Sequence, residues 1–334
     1  MANETESIGF LSAISQDQLI VIRFFTIFTS ILGTIGNALT ILAIVKGRLY
    51  TNVSFVFILN LSVTNLIHCV ILHPLLAAQA YRGIWTFNKA ACVAFAYGLF
   101  SNLGTELWGY TWITVNRYFC VVRHHIYKRL YGDTRLVATM LVFSWLFYPF
   151  VFLLPLTYAW GHFIYAPRKL ICYPFAGYNC SGFCLFVYTI AIVSTVPVII
   201  YCYAAIIRKY VKTRMKVGQG RGKTPSSRTA NMDLMVAKTD SERQKTLSEL
   251  RMAFTILAVI VVFTTCRMPF MVLYLVDPSM SKVNPFVHTL LIYIGSCSNW
   301  INPIIYAFSN KKLFNTLRKI FMSWKRTFVL DSNT

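Results

Sequence analysis

The chain has 334 residues, of which 56% are hydrophobic and only 13% charged, with a formal net charge of +21. So apolar a composition excludes an ordinary soluble domain and points to the membrane class. In a soluble protein the excess of base would suggest nucleic acid, but here the bases sit in short segments between apolar runs, which is how membrane proteins are oriented.

A bilayer-spanning helix needs roughly 20 mostly apolar residues. Seven such runs occur, at 20–45, 54–80, 91–121, 136–158, 182–208, 250–276 and 285–309, and are called helices 1 to 7. The predicted fold is all-α: a tail over 1–19, a seven-helix transmembrane bundle over 20–309, and a segment over 310–334. Residues 1–18 carry Glu4, Glu6 and Asp17 with no basic start, so no cleavable signal peptide is expected. Lys46 and Arg48 follow helix 1, and Arg123, Lys128, Arg129 and Arg135 lie between helices 3 and 4. The densest run of bases joins helices 5 and 6, and more follow helix 7. The other side holds only Arg82, Lys89, Arg168, Lys169 and Lys282. Positive loops face the cytoplasm, so the N-terminus is expected outside, at the plasma membrane.

On that outer side lie Cys92, at the start of helix 3, and Cys172, between helices 4 and 5. The oxidising compartment permits a disulfide there, although Cys180 and Cys184 lie near enough to compete or to stay free. The sequons at Asn3 and Asn179 face outward and are expected to be glycosylated, whereas the one at Asn52 faces the cytosol. The stretch from Lys212 to Arg243 is rich in Gly, Ser, Thr and base, so a mobile cytoplasmic loop is predicted at 212–243. After helix 7, Leu313, Phe314, Leu317, Ile320, Phe321 and Trp324 recur at helical spacing among Lys312, Arg318, Lys319 and Lys325. That pattern predicts an amphipathic helix on the membrane surface, its bases meeting anionic lipids of the inner leaflet.

Local motifs fall on these helices in order. Gly36-Asn37 lies in helix 1, and Asn60-Leu61-Ser62-Val63-Thr64-Asn65-Leu66 in helix 2. Trp85-Thr86-Phe87 precedes Cys92, Asn116-Arg117-Tyr118 ends helix 3, Trp145 lies in helix 4 and Pro197 in helix 5. Phe263 and Cys266-Arg267-Met268-Pro269 lie in helix 6, and Asn302-Pro303-Ile304-Ile305-Tyr306 ends helix 7. Together they resemble the rhodopsin-like (class A) G-protein-coupled receptors along nearly the whole chain. The Asn-Arg-Tyr form is similar to that of melatonin receptors, which differ in helix 7, where this chain keeps Pro303.

The resemblance implies a receptor that couples an extracellular ligand to a heterotrimeric G protein, with arrestin and a receptor kinase as further partners and no cofactor. It implies the Cys92–Cys172 disulfide and a coupling switch of Asn116, Arg117, Tyr118, Asn302, Pro303 and Tyr306. Glu249, at the cytoplasmic start of helix 6, is placed to pair with Arg117 as a resting-state lock; capping of helix 6, or a pair with Arg251 or Lys245, is the alternative. Asn37, Asn65, Glu106, Arg267 and Asn299 make up the expected buried polar core.

The departures from the family pattern are informative. Asn116 and Asn65 stand where relatives usually have acids, and Asn65 is a poor ligand for the sodium ion that many of them hold. Glu106 and Arg267 are new charges at membrane depth, where charges pair. Glu106 lies about 20° off whole turns from Arg117 and roughly 16 Å deeper, so both share the inward face. Arg267 lies roughly 27 Å above Glu249, a nominal mismatch of ~11 Å against pairing with Glu106; the rival is a Glu106–Asn65 hydrogen bond. Tyr203 follows Pro197 more closely than relatives place that tyrosine, and no Cys follows Cys297 to carry a palmitate.

Leu99 stands where a monoamine receptor needs an acid, and Ser296 where a retinal protein needs a lysine, so amines and retinal are disfavoured. Pocket candidates are Gln79, Tyr97, Leu99, Asn102, His288 and Tyr293, beneath Arg168 and Lys169, and the basic mouth favours a neutral or acidic small molecule, lipid or peptide. No metal-ligand spacing and no nucleophile–base set is present, so neither a metal site nor an enzyme is expected. A non-signalling receptor, or a transporter or channel, is the competing reading; a transporter would spread polar residues over paired broken helices.

Overall fold

The computed structural model describes residues 15–82, 85, 87–166, 171–173, 182–220, 230–277 and 282–331. Asn3, Asn179, Cys180, Arg168 and Lys169 lie outside these, as does the side chain of Gln79. Helix 1 spans Gln16–Lys46, and Ser15 and Gln18 form a reciprocal capping box at its start. Helix 2 runs through Val53–Ile67, a π turn His68–Leu72 and His73–Arg82. Helix 3 is Lys89–Val121, helix 4 Thr134–Leu156, helix 5 Gly182–Gly220 and helix 6 Ala230–Val276. Helix 7 is split into Pro285–Gly295 and Ser298–Ser309, and helix 8 follows as Lys311–Asp331. A short helix, His124–Leu130, joins helices 3 and 4. Strands β1 (Ile164–Ala166) and β2 (Ile171–Tyr173) form an antiparallel hairpin over the bundle, with Tyr165 opposite Cys172.

Five of these helices are long and apolar enough to cross a bilayer unaided. Helix 3 and helix 7 complete the bundle for a different reason. Helix 3 carries Glu106 and Arg117, both buried, and helix 7 is interrupted at Ser296 and Cys297. Each is surrounded by other helices, so its polar groups face protein rather than lipid.

The loop expected at 212–243 is not what forms in its described parts. Helix 5 continues to Gly220 and helix 6 begins at Ala230. Lys, Arg, Met, Ala, Glu and Leu supply good helix formers there, and a helix already nucleated in the membrane extends at low cost. Helix 8 buries Leu313 and Ile320 while Phe314, Phe321, Met322 and Trp324 are exposed, the two-sided surface its spacing predicts.

Close approach of helices 3 and 4 depends on Gly104, where an added Cβ would fall inside the Tyr148 ring. Tyr148 is buried and flanked by Phe147 and Phe152, so it has little room to move. Gly104→Ala is expected to destabilise the protein by about 1–3 kcal/mol, the usual penalty of overpacking. Thermal unfolding in detergent measures this, and an unchanged transition would contradict the tight contact.

Candidate functional site

The inward side chains of helices 3, 6 and 7 form two polar layers. In the layer at the C-terminal end of helix 3, Arg117, fully buried, donates from Nη1 to Oε2 of Glu249 at 2.8 Å. The same oxygen accepts from Cys120 Sγ at 3.3 Å. Arg117 Nη2 donates to Asn116 Oδ1 at 3.3 Å, and Ser54 of helix 2 donates to that oxygen at 2.8 Å. Asn116 therefore serves as an acceptor for Arg117 but brings no charge, leaving Glu249 as its one ionic partner among the described residues.

The second layer lies deeper. Arg267 Nη2 donates to Glu106 Oε2 at 3.1 Å. Tyr110 OH donates to the other carboxylate oxygen at 3.0 Å and accepts from Asn302 Nδ2 at 2.7 Å. Phe263 packs on the Tyr110 ring, and the Arg267 guanidinium lies over Phe263 at 5.7 Å. The nominal difference in depth closes for a simple reason. Side chains lean toward the N-terminus of their own helix, and helices 3 and 6 run antiparallel, so Glu106 and Arg267 lean toward each other. Asn65 is buried with no hydrogen-bond partner at either amide atom, so the Glu106–Asn65 bond does not form in this structure. These residues do not fit a sodium ion. The amide is neutral, and a guanidinium sits on the one carboxylate of the layer among the described residues.

Further polar contacts lock the frame. Asn37 Nδ2 donates to the carbonyls of Gly33 and Asn299, joining helices 1 and 7. Trp145 Nε1 donates to Asn60 at 2.8 Å. Gly36 faces Pro303, and Tyr306 is buried. Tyr203, despite its shifted spacing, is buried and donates to the Ala253 carbonyl of helix 6 at 3.3 Å. Tyr118 is buried in the core cluster beside Arg117, its ring 5.7 Å from that of Tyr201.

Of the pocket candidates, Tyr97, Leu99 and Tyr293 share the outer hydrophobic cluster, while Asn102 and His288 take polar partners of their own. Tyr97 OH donates to the Pro149 carbonyl of helix 4 at 3.1 Å, whereas Asn102 donates to Thr64 of helix 2 at 3.2 Å. His288 is buried against Asp277 at 3.1 Å, and Asp277 also accepts from the backbone of Lys282 and Val283. Tyr97 and His288 thus hold the frame, because a polar group in a bundle takes the nearest backbone or charge as its partner. Leu99 and Tyr293 stay buried in the outer hydrophobic cluster. Sequence reasoning missed Tyr110, although its position one turn from Glu106 could have found it. It also missed His68 and His73, which no regular period brings together.

Cys92 is disulfide-bonded to Cys172, with Cα atoms 5.4 Å apart, tying β2 to helix 3. Cys184 is also in a disulfide. Replacing Cys92 and Cys172 by Ser is expected to cost about 2–5 kcal/mol and to lower surface expression sharply. Normal expression and thermal stability of the double variant would contradict that role.

Residues 36–306 match the family described as 7 transmembrane receptor (rhodopsin family), so the chain belongs to that family and is a multi-pass membrane protein of the receptor class. Within it, the chain is similar to the G-protein coupled receptor moody of Drosophila melanogaster, 25% identical over 89% of this chain and 50% of that protein. It thus spans about half the length of that relative. The melatonin receptor type 1A of Ovis aries is 24% identical over 92% of this chain and 79% of its own. The fold matches squid rhodopsin with a TM-score of 0.77 at 18% identity, covering 92% of this chain and 86% of that one.

Proposed function

We propose that the protein transduces an extracellular ligand into activation of a heterotrimeric G protein, with its N-terminus outside the cell. The observation that carries this reading is the Arg117–Glu249 pair, which joins the C-terminal end of helix 3 to the first half of helix 6. It ties together two helices whose relative shift would expose a coupling surface, which is a two-state element of the kind a transmembrane switch needs. Arrestin and a receptor kinase are the further partners that family membership supports. Helix 8 lies on the inner leaflet, its Lys312, Arg318, Lys319 and Lys325 meeting anionic headgroups. The basic outer side, with Arg168 and Lys169, supports a neutral or acidic ligand, and Leu99 in place of an acid argues against a monoamine.

The test is a G-protein activation assay in cells at verified surface expression, first unliganded and then against a ligand panel. Activation above the empty-cell level supports the reading. Silence in every arm, including variants that lack the Glu249 restraint, would favour a non-signalling receptor.

A further inference from the structure

Several hydroxyls inside the bundle are satisfied by their own helix. Thr26, Thr40, Thr105, Thr114 and Thr255 each donate to the carbonyl four residues back, a bond that short side chains reach easily. A tyrosine ring is too long for it, so a buried tyrosine hydroxyl must find its partner elsewhere. Tyr203 of helix 5 keeps 4% of its surface exposed, and its OH donates to the Ala253 carbonyl of helix 6 at 3.3 Å. That carbonyl lies inside the continuous helix Ala230–Val276. A carbonyl there accepts one bond along the helix and has a second lone pair to offer.

The place of this bond on helix 6 gives it meaning. Ala253 stands one turn beyond Glu249, about 40° around the axis and ~6 Å along it. One face of helix 6 is therefore held at two points by two different neighbours. Helix 3 holds it through Arg117 and Glu249 at 2.8 Å, and helix 5 through Tyr203. A rod held at one point is free to pivot there, and a second point on the same face removes that freedom. The two contacts also differ in kind. Glu249 is partly exposed, so water weakens its ion pair. The Tyr203 bond is neutral and lies in a core cluster with Ile206, Leu250 and Ile256, all almost fully buried. Two turns further along helix 5, Tyr210 meets Phe254 of helix 6 edge-on at 5.1 Å.

We infer that Tyr203 is a positioning residue of the resting state, a second latch on helix 6 that acts independently of the Arg117–Glu249 pair. The bond exists only while helix 6 lies against helix 5. A shift of helix 6 away from helix 5 strands a buried hydroxyl, and that penalty adds to the loss of the ion pair. The two restraints act on one equilibrium through separate partners, so their losses multiply. The signalling consequence rests on the receptor reading; the hold on helix 6 does not.

The experiment uses the full chain and Tyr203→Phe, which keeps the ring and removes only the hydroxyl. Hydrogen exchange along helix 6 is followed by mass spectrometry in lipid nanodiscs, and unliganded G-protein activation is measured in cells at equal surface levels. Tyr203→Phe is expected to speed exchange around Ala253 and to raise unliganded activation, each about fivefold, the weight of one buried hydrogen bond. Exchange in helix 1 should stay the same. Tyr203→Phe combined with Glu249→Ala should give about the product of the two single effects. No change in exchange would overturn the latch, as would a fall in unliganded activation, which would put the hydroxyl in service of the active state. Faster exchange with unchanged activation, where Glu249→Ala does activate, would make the bond structural only and overturn it too. A double variant that signals no more than Glu249→Ala would remove its independence and with it the proposal. Faster exchange around Ala253 with no G-protein activation by any variant would leave the latch standing and count against the receptor reading. Activation by Glu249→Ala, with both readouts of Tyr203→Phe unchanged, would do the reverse.

Discussion

Glu249→Ala is expected to raise unliganded G-protein activation roughly fivefold, the population change that ~1 kcal/mol produces. The modest figure follows from geometry. Glu249 keeps 26% side-chain exposure, so water offsets part of the 2.8 Å contact with Arg117. Two features of this chain make the pair more important than its strength suggests. Asn116 gives Arg117 a hydrogen-bond acceptor in place of a charge, so removing Glu249 leaves a buried guanidinium without an ionic partner. The substitution also spares the arginine that would meet the G protein. Arg117→Ala should do the opposite and lower stimulated signalling, because it removes that contact along with the lock. The measurement is nucleotide exchange or second-messenger output at equal surface levels. Unchanged basal output in Glu249→Ala would mean that its contact with Arg117 does not restrain the resting state; capping is no alternative, because helix 6 begins at Ala230, well before Glu249.

The largest effect is expected in the deeper layer. Glu106→Gln and Arg267→Met should each destabilise the protein by about 3–5 kcal/mol, because each strands the opposite charge inside the bundle. The double variant should regain most of that loss, since two neutral side chains leave no orphan ion. The gain will be incomplete, because Tyr110 and Asn302 were arranged around the carboxylate. Thermal unfolding of the four species closes a double-mutant cycle. Additive losses would show that the 3.1 Å contact carries no coupling, and the paired-charge account would fail. Sodium should have little effect on ligand affinity in the wild type, and Asn65→Asp should not restore a strong sodium response while Arg267 occupies that layer.

Much of this molecule could be read from residue order alone. Length and hydropathy determine the spans because a bilayer demands about 20 apolar residues per crossing. The clustering of base supports the proposed orientation, and helical periodicity places Glu106 and Arg117 on one face. The two unusual charges at Glu106 and Arg267 announce themselves because neither can be left unpaired at that depth. What only the tertiary structure decided is where each polar side chain finds its partner. Tyr97 turns to the Pro149 carbonyl and His288 to Asp277 because those acceptors are nearest once the helices pack, and they are distant or irregularly spaced along the chain. The helical ends of the stretch between helices 5 and 6 depend on helices already formed in the membrane. The meeting of His68 with His73 needs one wide turn, and the break in helix 7 a short run of altered hydrogen bonds. Such choices of backbone hydrogen bond differ little in local energy, so the packing around them selects one, and no pattern of residue types records the selection.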